Sequence, residues 1–216
     1  RAIAFDLDGT LVDSRHDIVD AIGAALRDLG RPSGLGDDAL GRLVGRPLNE
    51  MFLAAAPGLD EAEQSQARAA YREHYARHCT RRSTLYPGIP EALTQLRERA
   101  RLGCATTKRP DSARPVLEGF GLLARLDGWL GTDPSMRYKP APDLLLAMAA
   151  DLGVEPAEMV YVGDSPVDLL AAHAAGSLAA WVTWGYGDPE ACRDARPDFV
   201  FDAPAELVGL LADLPA

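Results

Sequence analysis

Apolar residues follow two rhythms along this chain. Short unbroken runs, each closed by Gly, Asp, Ser or Thr, predict buried strands that end in loops; apolar residues spaced three or four apart predict helices. Ile3-Ala4-Phe5 is the first run. From residue 15 to about 80 the pattern is helical: Ile18, Ile22, Ala25, Leu26 and Leu29 recur at helical spacing up to Gly30. Ser14 is the expected N-cap of that helix, with Asp17 completing a carboxylate version of a capping box. Further helices are expected over Asp38–Val44, Leu48–Ala55 and Glu61–Cys79, broken by Gly45-Arg46-Pro47 and Pro57-Gly58-Leu59-Asp60. No strand signal occurs in this stretch. After Tyr86-Pro87-Gly88 helix and strand alternate. The helices are Ile89–Arg101, Ser112–Phe120, Pro142–Leu152, Val167–Ala175 (closed by Gly176) and Pro204–Leu214; the strands are Leu102–Thr106, Gly128–Gly131, Met159–Val162, Leu178–Thr183 and Asp198–Phe201. Such alternation predicts an α/β fold with a doubly wound, mainly parallel sheet. The expected sheet domain is 1–14 and 81–216, and residues 15–80 form an all-helical insert.

Composition narrows the partners. The 216 residues are 47% hydrophobic and 25% charged, ordinary for a globular protein, and carry a formal charge of −10. That charge argues against nucleic-acid binding, which needs basic surface. No stretch approaches the roughly eighteen apolar residues of a membrane helix, and the N-terminus lacks a signal-peptide pattern. Cys79, Cys104 and Cys192 are odd in number and widely spaced, which fits a reducing cytoplasm. An acidic chain that binds an anion must supply positive charge locally. Lys108 and Lys139 are its only lysines among 22 basic residues.

The candidate chemistry gathers at strand ends. Asp6 leaves the first strand where open α/β sheets place ligands, and Asp8, two residues on, can face the same pocket. Gly9 permits a tight turn, and Thr10 adds a hydroxyl where backbone N–H groups could form an anion nest. Two carboxylates beside such a nest suggest a nucleophile, an acid/base and a bound divalent cation. Thr106 and Thr107 follow a second strand, and a threonine hydroxyl there could donate to a phosphate oxygen. Lys139 precedes Pro140-Ala141-Pro142, which stiffens the backbone carrying it. Gly163-Asp164-Ser165-Pro166-Val167-Asp168 follows a buried strand and opens a helix. Asp6 and Asp164 suit the oxygen-ligand demand of Mg²⁺. Read singly, each of these residues is also an ordinary turn, cap or surface residue.

Together, Asp6-x-Asp8-Gly9-Thr10, Thr106, Lys139-Pro140 and Gly163-Asp164-Ser165-x-x-Asp168 resemble the haloacid dehalogenase superfamily over essentially the whole chain. Within it, Tyr86-Pro87-Gly88, Lys139-Pro140-Ala141-Pro142-Asp143 and Val182-Thr183-Trp184-Gly185-Tyr186 look most like phosphoglycolate-phosphatase-type hydrolases. Thr107 departs from the Asn that relatives often carry. The resemblance implies a Rossmann-like core with a helical cap and a Mg²⁺-dependent phosphatase working through an aspartyl-phosphate. It implies Asp6 as nucleophile and Asp8 as acid/base, with Mg²⁺ at Asp6, Asp8 and Asp164, supported by Asp168. The phosphate would lie against Gly9, Thr10, Thr106, Thr107 and Lys139. Gly45 and Arg46 are the candidate selectivity loop of the cap, Arg46 meeting a substrate carboxylate. Asp8 weighs against a dehalogenase, the absence of lysine from 14–80 against phosphonate cleavage, and Ile18 against a phosphosugar mutase. A pyrophosphatase and a catalytically silent binding protein on this fold stay as alternatives. The expected partner is a small phosphorylated metabolite, not nucleic acid or membrane, met by a monomer or homodimer.

Overall fold

The computed structural model describes residues 1–133 and 135–213. The chain forms two compact units: Arg1–Asp13 with Leu85–Ala216, and Ser14–Thr84.

The first unit is built on β1 (Ala2–Phe5), and all four of its residues are buried. The chain leaves through the two-residue strand β2 (Val12–Asp13) and returns at β3 (Thr84–Leu85). There follow β4 (Arg101–Thr106), β5 (Gly128–Gly131), β6 (Met159–Gly163), β7 (Leu178–Val182) and β8 (Phe199–Phe201). They join β1 in a six-stranded sheet ordered β5-β4-β1-β6-β7-β8, with every paired neighbour parallel. This is the doubly wound α/β architecture that the helix–strand alternation predicts. Parallel strands need crossover helices on both faces, so the central strands read as unbroken apolar runs rather than alternating ones. The helix Asp143–Asp151 turns Leu144, Leu145 and Met148 into one core cluster with Tyr161 and Leu169. Register then decides where the loops fall. Phe5 pairs with Cys104 on one side and Val162 on the other, so the residues after β1, β4 and β6 emerge together at one edge.

The second unit holds the helices Arg15–Asp28, Asp37–Gly41, Leu48–Ala55 and Glu61–His78. Tyr71 and Tyr75 stack with ring centroids 5.4 Å apart on the last of them, and Tyr71 meets the edge of Phe52.

Several local expectations are corrected. Ser14 makes no side-chain cap bond. Asp17, expected at N3 of a capping box, is buried and accepts from the Arg82 N–H, the Ser83 N–H and the Ser83 hydroxyl. Three donors from one distant segment outcompete a single cap bond. The capping box of this unit is instead Asp60/Glu63, where each side chain accepts the other's N–H. The helix expected to reach Arg101 ends at Leu96, because Arg101 pairs with Ala2 in the sheet. The final segment is a 3₁₀ helix over Pro204–Gly209 followed by α-helix over Leu210–Asp213. A glycine in its middle weakens a continuous α-helix there. Leu214, its expected end, lies outside the described residues.

Asp17→Ala strands three donors, two of them backbone N–H groups. It should destabilise the fold by about 2–3 kcal/mol in urea unfolding.

Candidate active site

Asp6 is the first residue past β1, fixed there by its N–H donating to the Val162 carbonyl at 2.8 Å. The next residues fold back tightly. Leu11 and Val12 N–H groups both donate to the Leu7 carbonyl at 3.0 Å, Thr10 N–H reaches it at 3.4 Å, and Gly9 N–H donates to Val12. Gly9 has φ +85°, and a Cβ on it would lie 2.4 Å from an Asp164 carboxylate oxygen. Any larger residue would be both strained and driven into the acidic cluster.

The N–H groups of Gly9 and Thr10 close the loop on itself, and the Thr10 hydroxyl donates to Asp164 Oδ1 at 3.3 Å. These two residues shape the loop and hold Asp164. Tyr186 N–H donates to the other Asp164 oxygen at 2.7 Å. The Tyr186 hydroxyl donates to Asp13, and the Trp184 indole N–H to the Thr10 carbonyl at 3.1 Å. The loop after β7 thus braces the loop after β1.

Lys139 is the centre of the arrangement. Its Nζ donates to Asp6 Oδ1 at 3.0 Å, to Asp168 Oδ1 at 2.5 Å and to the Tyr161 hydroxyl at 2.9 Å, and its side chain is only 2% exposed. The peptide bond from Lys139 to Pro140 is cis. The Tyr161 hydroxyl in turn donates to the Ala105 carbonyl at 2.5 Å. Asp168 sits at N3 of the helix Pro166–Ala175, and its Oδ2 accepts from the Ser165 N–H and hydroxyl. One carboxylate serves as capping residue and lysine anchor together.

One carboxylate oxygen from each of Asp6, Asp164 and Asp168 lies within 4.8 Å of the others. Buried carboxylates converging like this are the hard-oxygen donor set a divalent cation takes, so the residues fit such an ion. Asp8 stands beside them, its Oδ2 accepting from Lys108 Nζ at 2.6 Å. Thr106 is buried at the end of β4, and its hydroxyl oxygen accepts from the Lys108 N–H at 3.2 Å. That bond uses a lone pair and keeps the hydroxyl proton for donation. Thr107 is partly buried next to it. Gly45 (φ +99°) and the exposed Arg46 belong to the helical unit, between Asp37–Gly41 and Leu48–Ala55.

Comparison with known proteins shows the family. The sequence model for haloacid dehalogenase-like hydrolases matches residues 3–182. A phosphoglycolate phosphatase of Haemophilus influenzae is 32% identical, covering 98% of each chain. Another, of Vibrio vulnificus, is 34% identical over 98% of this chain and 96% of its own. The solved structure of a haloacid dehalogenase-like family hydrolase from Streptococcus pneumoniae superposes with a TM-score of 0.86 at 29% identity, covering 97% of each chain. The chain belongs to the haloacid dehalogenase-like hydrolase family.

In this hydrolase the electrostatics follow from burial. Burial raises Asp6 to about 7 against the opposing pull of Lys139, with Asp168 and Asp8 adding to the rise. Burial raises Asp164 to about 8, reinforced by Asp168 and Asp6. Burial by itself would lower Lys139, but the carboxylates of Asp168 and Asp6 outweigh it and hold the ammonium well above its usual range. Tyr161 is likewise raised by burial and stays a neutral phenol. Sequence reasoning assigned no role to Lys108, Tyr161 or Tyr186. Lysine scarcity was the one signal that could have marked Lys108; nothing local marks a strand tyrosine as the support of a lysine 22 residues away.

Because Asp6 and Asp164 hold protons in the fold that the unfolded chain releases near its usual carboxylate range, their contribution is fully present in acid and lost as pH rises through about 7 to 8. In the presence of a chelator, the wild type should therefore lose thermal stability relative to Asp164→Asn between about pH 5 and pH 8. Adding a divalent cation should raise the wild-type Tm more at the upper pH, since cation and proton compete for the same oxygens. Calorimetric scans at fixed ionic strength check both slopes.

Proposed function

We propose that this phosphoric monoester hydrolase is a Mg²⁺-dependent phosphatase of a small phosphorylated metabolite of the phosphoglycolate kind, working through an aspartyl-phosphate on Asp6. The observation that carries the reading is the buried Lys139, which clamps one oxygen of Asp6 beside Asp8, Thr106 and the Asp164 carboxylate.

A carboxylate fixed at one oxygen can attack a phosphorus atom with its other oxygen in a set direction. As the new P–O bond forms on Asp6, the ester P–O bond breaks, and Asp8 gives the departing alkoxide its proton. Asp8 then takes a proton from water, the resulting hydroxide attacks phosphorus, and the bond to Asp6 breaks to release inorganic phosphate. Lys139 and the Thr106 hydroxyl meet the remaining phosphoryl oxygens, where charge develops. Mg²⁺, held by Asp6 and Asp164 with the Asp8 main chain and with Asp168 beside them, would neutralise phosphoryl charge and polarise the P–O bond. Asp168 contributes chiefly by fixing Lys139, since its oxygens already accept from Lys139 and Ser165.

The charge balance supports a divalent ion. Three ionised carboxylates (Asp6, Asp164, Asp168) against the Lys139 ammonium leave a formal −2, the charge of one Mg²⁺ with opposite sign. Clustered carboxylates are hard to keep ionised without such a counter-ion.

The substrate reading draws on the relatives named phosphoglycolate phosphatase. A cytoplasmic setting suits Cys79, Cys104 and Cys192, which are buried and in no disulfide. No helix among the described residues is long and apolar enough to cross a membrane.

Phosphate release from 2-phosphoglycolate, a hexose phosphate, a nucleoside monophosphate and pyrophosphate, with Mg²⁺ and with excess chelator, tests the reading. Metal-dependent turnover with phosphoglycolate ahead in kcat/KM is the expected result; preference for another compound overturns the substrate alone. Asp6→Asn should lower kcat by at least about 1000-fold with the fold intact, and near-wild-type turnover in that variant removes the mechanism.

A further inference from the structure

We propose that Lys108 is the positioning residue for Asp8: it holds that carboxylate in the orientation from which a proton passes to the leaving group. The assignment rests on the acid/base reading of Asp8 above and extends it to a lysine outside the motif residues named there.

Three observations converge on Lys108. Its Nζ donates to Asp8 Oδ2 at 2.6 Å, with side chains only 8% and 13% exposed. Surface pairs of this chain are different in kind: Arg114 and Glu118 meet at 3.1 Å with side chains 61% and 51% exposed. Exposed pairs are screened and contribute little, whereas a pair withdrawn from water keeps its geometry.

Secondly, the backbone carrying Lys108 is seated on two strand ends. Its N–H donates to the Thr106 hydroxyl oxygen at 3.2 Å, and its carbonyl accepts from the Thr132 N–H at 3.1 Å. A Cβ on Gly131, the last residue of β5, would lie 2.5 Å from the Lys108 carbonyl oxygen and 2.8 Å from the Pro110 nitrogen. Glycine there lets the Lys108 turn press directly onto the end of β5. The ammonium is therefore delivered from a fixed base, and only its own side-chain torsions separate that base from Asp8.

Thirdly, Lys139 cannot do this work. Its Nζ is committed to Asp6, Asp168 and the Tyr161 hydroxyl. The two lysines of the chain thus divide the two carboxylates of the first loop between them, Lys139 holding Asp6 and Lys108 holding Asp8. An ammonium suits both places, being a compact point donor where a planar guanidinium demands a wider approach.

A carboxylate pinned at Oδ2 turns about one fixed corner, so its proton-transfer orientation is set before substrate arrives. Loss of that pin should damage the step that needs a proton and spare the step that does not. Leaving-group chemistry separates these. An alkoxide must be protonated as it departs; p-nitrophenolate is stable enough to leave without help.

The experiment measures single-turnover release of the leaving group from p-nitrophenyl phosphate and from the alkyl phosphate best hydrolysed in the panel above. The proteins are the Mg²⁺-loaded wild type, Lys108→Met, Lys108→Arg and Asp8→Asn. Lys108→Met should slow alkoxide release by about 100-fold, the lower range of general-acid effects, and nitrophenolate release by less than about fivefold, with substrate affinity within about threefold of wild type. Lys108→Arg, which keeps the charge, should recover roughly a tenth or more of the lost rate and serves as the reporter if the methionine variant does not fold. Equal losses on both substrates would overturn the assignment and make Lys108 a phosphoryl or fold contact. Weaker binding with an unchanged release rate would overturn it in favour of a substrate contact. Asp8→Asn separates the two layers: a leaving-group difference in it but in neither Lys108 variant sinks only the role of Lys108. Absence of that difference in Asp8→Asn sinks the acid reading and this inference with it.

Discussion

A lysine withdrawn from water among carboxylates is the constraint on which this structure turns. Lys139 Nζ makes all three of its donations inward, to Asp6, Asp168 and Tyr161. Removing an ammonium from water is costly unless its donors are satisfied and its charge is compensated. Here both conditions are met, yet the carboxylates that meet them are themselves buried and repel one another. The cluster is stable as an arrangement only because each member is held by something rigid. Asp168 is tied into a helix start, Asp164 is gripped by Thr10 and Tyr186, and Asp6 is the direct continuation of a sheet strand.

The sheet supplies that rigidity at little cost to the site. Parallel strands in register bring the ends of β1, β4 and β6 to one edge, and the residues just beyond them need no long loops to meet. Beneath the edge, Tyr161 converts a core position of β6 into part of the polar network, accepting from the lysine ammonium and donating to the β4 backbone. Polar chains of this kind are worth having only when every member is satisfied. The residual charge of the site has the opposite sign to a divalent ion, so the polypeptide and its counter-ion are complementary parts of one electrostatic design.

Much of this was legible along the chain, for reasons that can be named. Buried parallel strands show as continuous apolar runs, so β1, β4, β5, β6 and β7 could be placed to within a residue or two. Asp6, Asp8, Asp164, Lys139 and Thr106 were singled out because each follows such a run or stands on stiffened backbone. What misled was local chemistry read without its competitors. Ser14 and Asp17 have the spacing of a capping box, but the Arg82–Ser83 segment offers Asp17 three donors.

The sequence by itself determined the alternation of elements, the α/β class and the identity of the acidic and basic groups at the strand ends, because period and turn chemistry act over a few residues. Only the tertiary structure decided which groups pair. Nothing within a few positions of Lys108 specifies Asp8, a hundred residues earlier, nor does anything near Lys139 specify Tyr161. Those partnerships depend on strand order, on the register between β1, β4 and β6, and on a glycine that lets one turn press against the end of a neighbouring strand. Electrostatic pairing is set by distance in space, and distance in space is what a linear pattern does not encode.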